Sequence, residues 1–329
     1  MFLGFLFFPV LMISFIITFL IMPKWIRRAH TEEIMGKDIH KLDKRKVAEG
    51  GGLIVMIGFI LGVFLYIAIK TFVFKDEINV IQIFGLLTVL FFASAIGIMD
   101  DFLGWKKGLS KRVRLILLIF CAIPLMVLNI GESTMFGINW GVLFPLIIVP
   151  IAIIGATSTF NFLAGYNGLE ASQGILILTA MAIATFVTGN PWLSLICACM
   201  VASLIAFYLF NMYPARVFQG DILTYSVGAL IACVAILGNI EKIALFFFIP
   251  YILEVLLKLR GGLKKESFAK LNKYGGLEEP YDKIYGLEHL ALKILKKIKR
   301  KKEVYEWEIP VVINTFQTII IAVGFLIFI

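Results

Sequence analysis

Apolar runs of bilayer length recur along this chain, and they restrict the solvent it can fold in. Ten can be counted, at about 2–22, 50–69, 81–99, 113–129, 140–160, 174–187, 192–211, 222–238, 243–259 and 309–329. A run of roughly 20 apolar residues crosses a bilayer as a helix, because a helix satisfies its own backbone polar groups where no water can. The chain is 60% hydrophobic and only 16% charged, too apolar for a soluble domain of this length. The expected fold is all-α: a polytopic membrane protein of about ten transmembrane helices, forming a single integral membrane domain over 1–329. Phe2–Met22 lacks a basic leading segment and a small-residue cleavage site, so it reads as a retained helix.

Charge asymmetry sets the orientation. The alternate loops 24–49, 100–114, 161–173, 212–221 and 258–308 hold 8, 5, 0, 1 and 14 of the chain's 31 Lys and Arg. Only Lys70, Lys75 and Lys242 fall to the opposite side. Basic loops stay cytoplasmic, so both termini are expected outside. The five tryptophans, Trp25, Trp105, Trp140, Trp192 and Trp307, all stand at span ends, where an indole prefers the interface. The net charge of +9 therefore reads as loop retention and attraction to anionic lipid, with no nucleic-acid partner. Cys121, Cys197, Cys199 and Cys233 lie inside apolar runs without disulfide or zinc spacing and read as packing residues.

The last inner loop, 260–308, is expected to contain an amphipathic helix. Leu287, Leu290, Ile294, Leu295 and Ile298 recur at helical spacing beside Lys293, Lys296, Lys297 and the basic run 299–302. That pattern predicts a helix lying on the anionic inner leaflet.

The acids of interest collect at inner span ends. Asp100 and Asp101 close the third run, and neighbouring carboxylates repel unless cations answer them. Lys106, Lys107, Lys111, Arg112 and Arg114 follow. Glu49, Glu170 and Asp221 sit at corresponding ends, as do Asn161 and Asn167. The stretch Asn161–Glu170 offers two glycines for close backbone approach and oxygen ligands suited to a hard cation such as Mg²⁺. A tight inter-helix turn would use the same residue types, and the composition leaves both readings open. Asp221 opens the eighth run as an N-cap or a metal ligand, while Phe218 could stack on a planar ring. Glu254, one turn from Lys258, reads as an ion pair near the inner face.

Four stretches together resemble the polyprenyl-phosphate N-acetylhexosamine-1-phosphate transferase family. They are Ala48-Glu49-Gly-Gly-Gly, Gly97-Ile-Met-Asp-Asp101, Asn161–Glu170 and Arg216-Val-Phe-Gln-Gly-Asp221. Leu-Ala-Gly-Tyr-Asn-Gly-Leu-Glu is most similar to the eukaryotic and archaeal branch that makes dolichyl-diphosphate-GlcNAc. The resemblance implies ten helices and a cytoplasmic cleft open to the membrane. It implies transfer of GlcNAc 1-phosphate from UDP-GlcNAc to a polyprenyl phosphate, with Mg²⁺ (or Mn²⁺) as cofactor and UMP released. It implies Asp100, Asp101 and Arg114 as catalytic residues, with Lys111 an alternative to Arg114. Asn161 and Asp221 would be the metal ligands, and Glu49, Gly165, Asn167, Glu170, Phe218 and Lys265 the substrate-binding residues. The chain departs from the family at Lys264–Ser267, where a histidine- or arginine-containing motif is usual. There Lys265 supplies a point charge without arginine's fork.

Alternatives are another UDP-N-acetylhexosamine, a peptidoglycan precursor as donor, and, from a different class, a secondary transporter. Transporters place ionisable groups and broken helices near mid-membrane, and the runs here carry almost none. The expected location is an archaeal plasma membrane, with the endoplasmic reticulum as the alternative, and a homodimer is allowed for.

Overall fold

The computed structural model describes residues 2–76, 78–103, 108–129, 133–300 and 302–329. Trp105, Lys106, Lys107 and Lys301 lie outside the described residues. In chain order the first helices are α1 (Phe2–Thr31), α2 (Gly51–Ala68), α3 (Val80–Leu103), α4 (Lys111–Leu128), α5 (Val149–Phe160) and α6 (Leu169–Val187). They are followed by α7 (Pro191–Asn211), α8 (Gly220–Leu237), α9 (Glu241–Phe247), α10 (Ile249–Arg260), α11 (Leu287–Lys299) and α12 (Glu308–Phe328). Three two-stranded antiparallel hairpins complete the described residues: β1 (Met35–Lys37) with β2 (Lys46–Ala48), β3 (Thr134–Met135) with β4 (Ile138–Asn139), and β5 (Lys270–Leu271) with β6 (Leu277–Glu278).

The protein is mostly helical, and seven of its described helices are long and apolar enough to cross a membrane: α1, α2 with its π-helical extension Ile69–Phe74, α3, α6, α7, α8 and α12. Three expected spans differ in kind. The fourth, α4, opens on Lys111, Arg112 and Arg114. The fifth is the shorter rod Phe144–Phe160, whose first turns are π-helical. The ninth is broken at Phe248 into α9 and α10, where Pro250 in the first turn of α10 has no N–H to continue the ladder.

Helix α8 is the centre of the molecule. Every residue from Ile222 to Leu237 is buried, as expected for a helix apolar all round. It packs against α3, α5 and α2, while α6 pairs with α7 and α1 with α2 and α7. Glycines let the backbones meet: a Cβ on Gly97 of α3 would lie 2.6 Å from the Ile222 Cα, and one on Gly228 of α8 would lie 2.7 Å from the Thr157 Cα of α5. The two contacts fix the ends of α3, α5 and α8 relative to one another. That is where the acids and amides of the site stand.

Two expectations need revision. The sixth span begins at Leu169, earlier than its apolar run, because Glu170 and Gln173 are buried in the helix against polar partners instead of lying in a loop. The amphipathic helix α11 buries Leu287, Ala291 and Leu292 inside the protein, packing on α10 and α12, instead of resting its whole apolar face on lipid. Its second half alone leaves Ile294 and Ile298 exposed among lysines. The four cysteines are free and buried.

Candidate functional site

Asp100 and Asp101 close α3 and point to different partners. The Asp100 carboxylate is buried and accepts from three donors. These are the Leu109 N–H at 2.6 Å, the Tyr225 hydroxyl at 3.3 Å and the Arg114 guanidinium. Arg114 reaches it because Ser110 caps α4 and starts the helix beside α3. The same guanidinium nitrogen lies 4.0 Å from the Asp221 Oδ2.

Asp101 instead accepts the backbone N–H of Asp221 at 2.9 Å. It thereby caps α8 from a different helix, answering one of the donors a helix N-terminus leaves unpaired. Gly220, at φ +68°, makes the turn into α8, and a Cβ there would strike the Asp101 carboxylate. Asn161 ends α5. The Thr224 hydroxyl lies 3.2 Å from both the Asn161 Oδ1 and the Asp221 carbonyl oxygen. The structure thus brings Asp100, Asp101, Arg114, Asn161 and Asp221 to one end of the helical bundle.

A second group adjoins them through the strand-like segment before α8. The Phe218 N–H donates to the Ala48 carbonyl at 2.7 Å, and the Phe218 carbonyl accepts the Gly51 N–H at 2.9 Å. Both bonds pin the ring beside Glu49. A Cβ on Gly36 of β1 would meet the Glu49 carboxylate and would lie 3.0 Å from the Phe218 ring. Burial pushes the Glu49 carboxyl above its ordinary range. One residue on, the Gln219 amide donates to the Glu170 Oε1 at 2.6 Å, which also accepts the Gly165 N–H at 2.8 Å. Gly165 has φ +105°, and a Cβ there would lie 2.5 Å from the Phe268 ring.

Asn167 is held at both ends. Its N–H donates to the Glu306 Oε1 at 3.0 Å and its Nδ2 to the Asp38 Oδ2 at 3.2 Å. Lys265 lies against the tyrosines of its own loop. Its ammonium lies over the Tyr281 ring at 4.7 Å, in a hollow of about 420 Å³ also lined by Lys270, Lys283 and Tyr285.

Several of these partners were not legible beforehand. Gln219 lay inside a motif already singled out and could have been weighed as a polar bridge. Tyr225 was masked by an apolar run, though its place one helical turn after Asp221 is a usable signal. Asp38 and Glu306 carried no local signal.

The residues fit a divalent cation of the oxygen-loving kind. Asn161 and Asp221 offer amide and carboxylate oxygens, tied together by Thr224. Two carboxylates, Asp100 and Asp221, face the Arg114 guanidinium, and Asp101 stands beside them on the first turn of α8. Among the described residues no group of three His, Cys, Asp or Glu forms a closed metal cage. Mg²⁺ needs none, since it keeps waters and takes substrate phosphates alongside one or two carboxylates.

Fold and cluster define a multi-pass membrane protein with an acidic, oxygen-rich site built on helix ends. Residues 83–239 match the glycosyl transferase family 4 profile, a stretch that contains every site residue expected from the sequence except Glu49 and Lys265. A protein of Saccharolobus solfataricus, assigned by name as a UDP-N-acetylglucosamine--dolichyl-phosphate N-acetylglucosaminephosphotransferase, is 34% identical over 86% of this chain and 87% of its own. A Dictyostelium discoideum protein of that same enzyme name is 29% identical over 73% of this chain and 68% of its own. A phospho-N-acetylmuramoyl-pentapeptide-transferase of Streptococcus equi subsp. zooepidemicus is 29% identical over 74% and 76%. The chain belongs to glycosyl transferase family 4.

Proposed function

We propose that this protein transfers N-acetylglucosamine 1-phosphate from UDP-N-acetylglucosamine to a polyprenyl phosphate of the dolichyl type, releasing UMP. One observation carries the reading: Asp100, Asp221, Asn161 and Arg114 converge at helix ends in a chain rich in membrane-length helices. A lipid phosphate held at the membrane surface and a nucleotide from water can meet there and nowhere deeper. The names of the two dolichyl-type relatives support the donor and acceptor.

In the reaction, an acceptor phosphate oxygen attacks the donor phosphorus that bears the sugar. The new P–O bond forms as the bond from that phosphorus to the bridging oxygen breaks, and UMP leaves with the electron pair. A phosphomonoester with a second pKa of about 6 is largely dianionic near neutrality and needs little help losing a proton. Asp100 already accepts three hydrogen bonds, which hold its carboxylate in one orientation. That favours an orienting role over attack on phosphorus or proton removal. Arg114, between Asp100 and Asp221, is placed to offset phosphate charge. A Mg²⁺ held by Asn161 and Asp221 would neutralise the diphosphate and stabilise the charge leaving on UMP. Phe218 would stack on the uracil, and Glu49 would line the pocket.

The same reading places ten helices in the membrane, counting α4, the Phe144–Phe160 rod and the α9–α10 pair. Both termini are then outside and the site is cytoplasmic, in an archaeal plasma membrane. The charge asymmetry of the loops and the Saccharolobus relative support this.

The test is UMP release by the purified full chain in lipid nanodiscs, with Mg²⁺ and a polyprenyl phosphate. UDP-GlcNAc, UDP-GalNAc and UDP-MurNAc-pentapeptide are compared as donors. UDP-GlcNAc is expected to be used best. Preference for the pentapeptide donor would move the protein to the reaction named for its streptococcal relative, and no UMP from any donor would overturn the reading.

A further inference from the structure

One nearly buried lysine joins four segments, and the reaction described above gives it no part. The ion pair expected between Glu254 and Lys258 is present, in the second half of α10. The Lys258 side chain is only 13% exposed, and its ammonium lies 3.3 Å from the Glu254 Oε1. The same ammonium donates to the Phe162 carbonyl and, at 2.8 Å, to the Ser267 hydroxyl. Glu254 is fully buried, and its other oxygen accepts the Leu287 N–H at 2.6 Å. Helix α10, the first residue of α11, the loop after α5 and the loop after α10 thereby meet at one cation.

What the lysine holds is the residue directly after Asn161. The Phe162 N–H is bonded to the Thr159 carbonyl at 2.9 Å, and Lys258 takes the carbonyl on its other side. Asn161 itself ends α5 at φ −74° and ψ −12°. The chain leaving Asn161 is therefore pinned at both of its next polar groups. The loop after α10 is drawn to the same place. Lys258 holds it at Ser267, and the Tyr166 hydroxyl accepts the Ala269 N–H at 3.2 Å. A lysine taken this far from water is costly unless a counter-charge goes with it. Packing α10 against α5 needs no such pair. A bond from an ammonium to a carbonyl is stronger than one between neutral groups, which suits a charge whose use is to fix a backbone.

We propose that Lys258, paired with Glu254, is a positioning residue for the candidate cation site: it fixes the backbone that carries Asn161 and ties Ser267 to it. The inference rests on the Mg²⁺ reading given above. Lys258 acts through Asn161 and is itself no ligand. Groups that orient a metal ligand in this way tune affinity from outside, and losing one typically weakens metal binding by about 10- to 100-fold.

The experiment measures Mn²⁺ binding to the full chain in nanodiscs by electron paramagnetic resonance, which needs no turnover, for wild type, Lys258→Met and Lys258→Arg. Lys258→Met is expected to weaken Mn²⁺ by about tenfold or more. The Mg²⁺ concentration for half-maximal UMP release should rise by a similar factor, with the KM for polyprenyl phosphate within about twofold of wild type. Lys258→Arg keeps a cation that can donate to the Phe162 carbonyl and pair with Glu254, so it should recover Mn²⁺ affinity to within about threefold of wild type. Unchanged Mn²⁺ affinity in Lys258→Met overturns the proposal. So does equal loss in both variants, or a loss that moves the acceptor KM as far as the cation affinity, as a purely structural role would. If Lys258→Met does not fold because Glu254 is left buried without a partner, the pair is removed together as Lys258→Met with Glu254→Gln. The same loss of Mn²⁺ affinity is expected there, and its absence counts against the proposal. A wild type that binds no Mn²⁺ fails the cation reading itself and takes this inference with it.

Discussion

Two charge clusters stand at the same end of the helical bundle, and they are built to opposite rules. Around Arg114, Asp100 and Asp221 face one guanidinium with Asp101 beside them, and Asp221 remains partly open, with 28% of its side chain exposed. Around Glu306, two carboxylates face Lys41 and the nearby Arg45, and both acids are almost sealed. The balanced cluster has its counter-charges built in, as a buried group must if it is to stay ionised. The unbalanced cluster holds, among the described side chains, more acids than bases. A surplus of that kind is tolerable only where a cation joins it or where the carboxyls take up protons. Under the proposed function, the contrast separates a cluster that would take up a cation from one that holds the frame.

The largest expected effect lies in the unbalanced cluster. Asp221→Ala should lower kcat by about 100- to 1,000-fold, in the range seen when one transition-state contact is lost. It should also shift the Mg²⁺ titration of turnover to higher concentration. A variant with an unaltered Mg²⁺ response would erase the distinction drawn between the clusters. Phe218→Ala should act on donor binding alone, raising the KM for UDP-GlcNAc by the value of one aromatic stack, about 1–3 kcal/mol, with kcat little changed. Equal loss in kcat would place the ring at the reacting atoms instead.

The smallest effect is on stability and sharpens the comparison through pH. Glu306 is held below its ordinary 4.5. It therefore contributes stability above that pH, lost as pH falls through the depressed folded value. Glu288 on α11 is the reverse case. Burial raises it well above 4.5, Glu254 adds to the rise, and Lys258 only partly opposes it. Its contribution is full below 4.5 and is lost as pH rises through the raised value. Glu306→Gln should lower the thermal midpoint at pH 7 by about 2–4 °C or more, with the gap closing on acidification. Glu288→Gln should leave the midpoint unchanged or raise it at pH 7, with no gain at pH 4. Matching pH profiles for the two variants would mean the two acids sit in equivalent surroundings.

Much of the architecture was legible because it is local. A bilayer-length apolar run and a lysine-rich loop announce themselves within some 20 residues. Even the motif residues that meet at the site were marked by sitting at span ends. The failures share a cause as well. The break at Phe248 depends on where one proline falls within an apolar stretch that reads as continuous. The early start of α6 depends on Glu170 and Gln173 finding partly buried partners, Gln219 and Asn314, which hydropathy cannot anticipate. The side chains of Lys41 and Glu306 are 265 residues apart in the chain, and no periodicity links them.

Asp101 spends its carboxylate on the first turn of another helix, and this has a bearing on how variants will be read. A residue that fixes where Asp221 begins will produce, when altered, the symptoms of a damaged cation site without ever having touched the cation. Screens that score only turnover would file it beside Asp221. Telling the two apart takes a replacement that keeps a short acceptor at the tip of α3, such as Asp101→Asn. If lost activity returns with that side chain, the defect was in the scaffold's alignment and the chemistry was intact throughout.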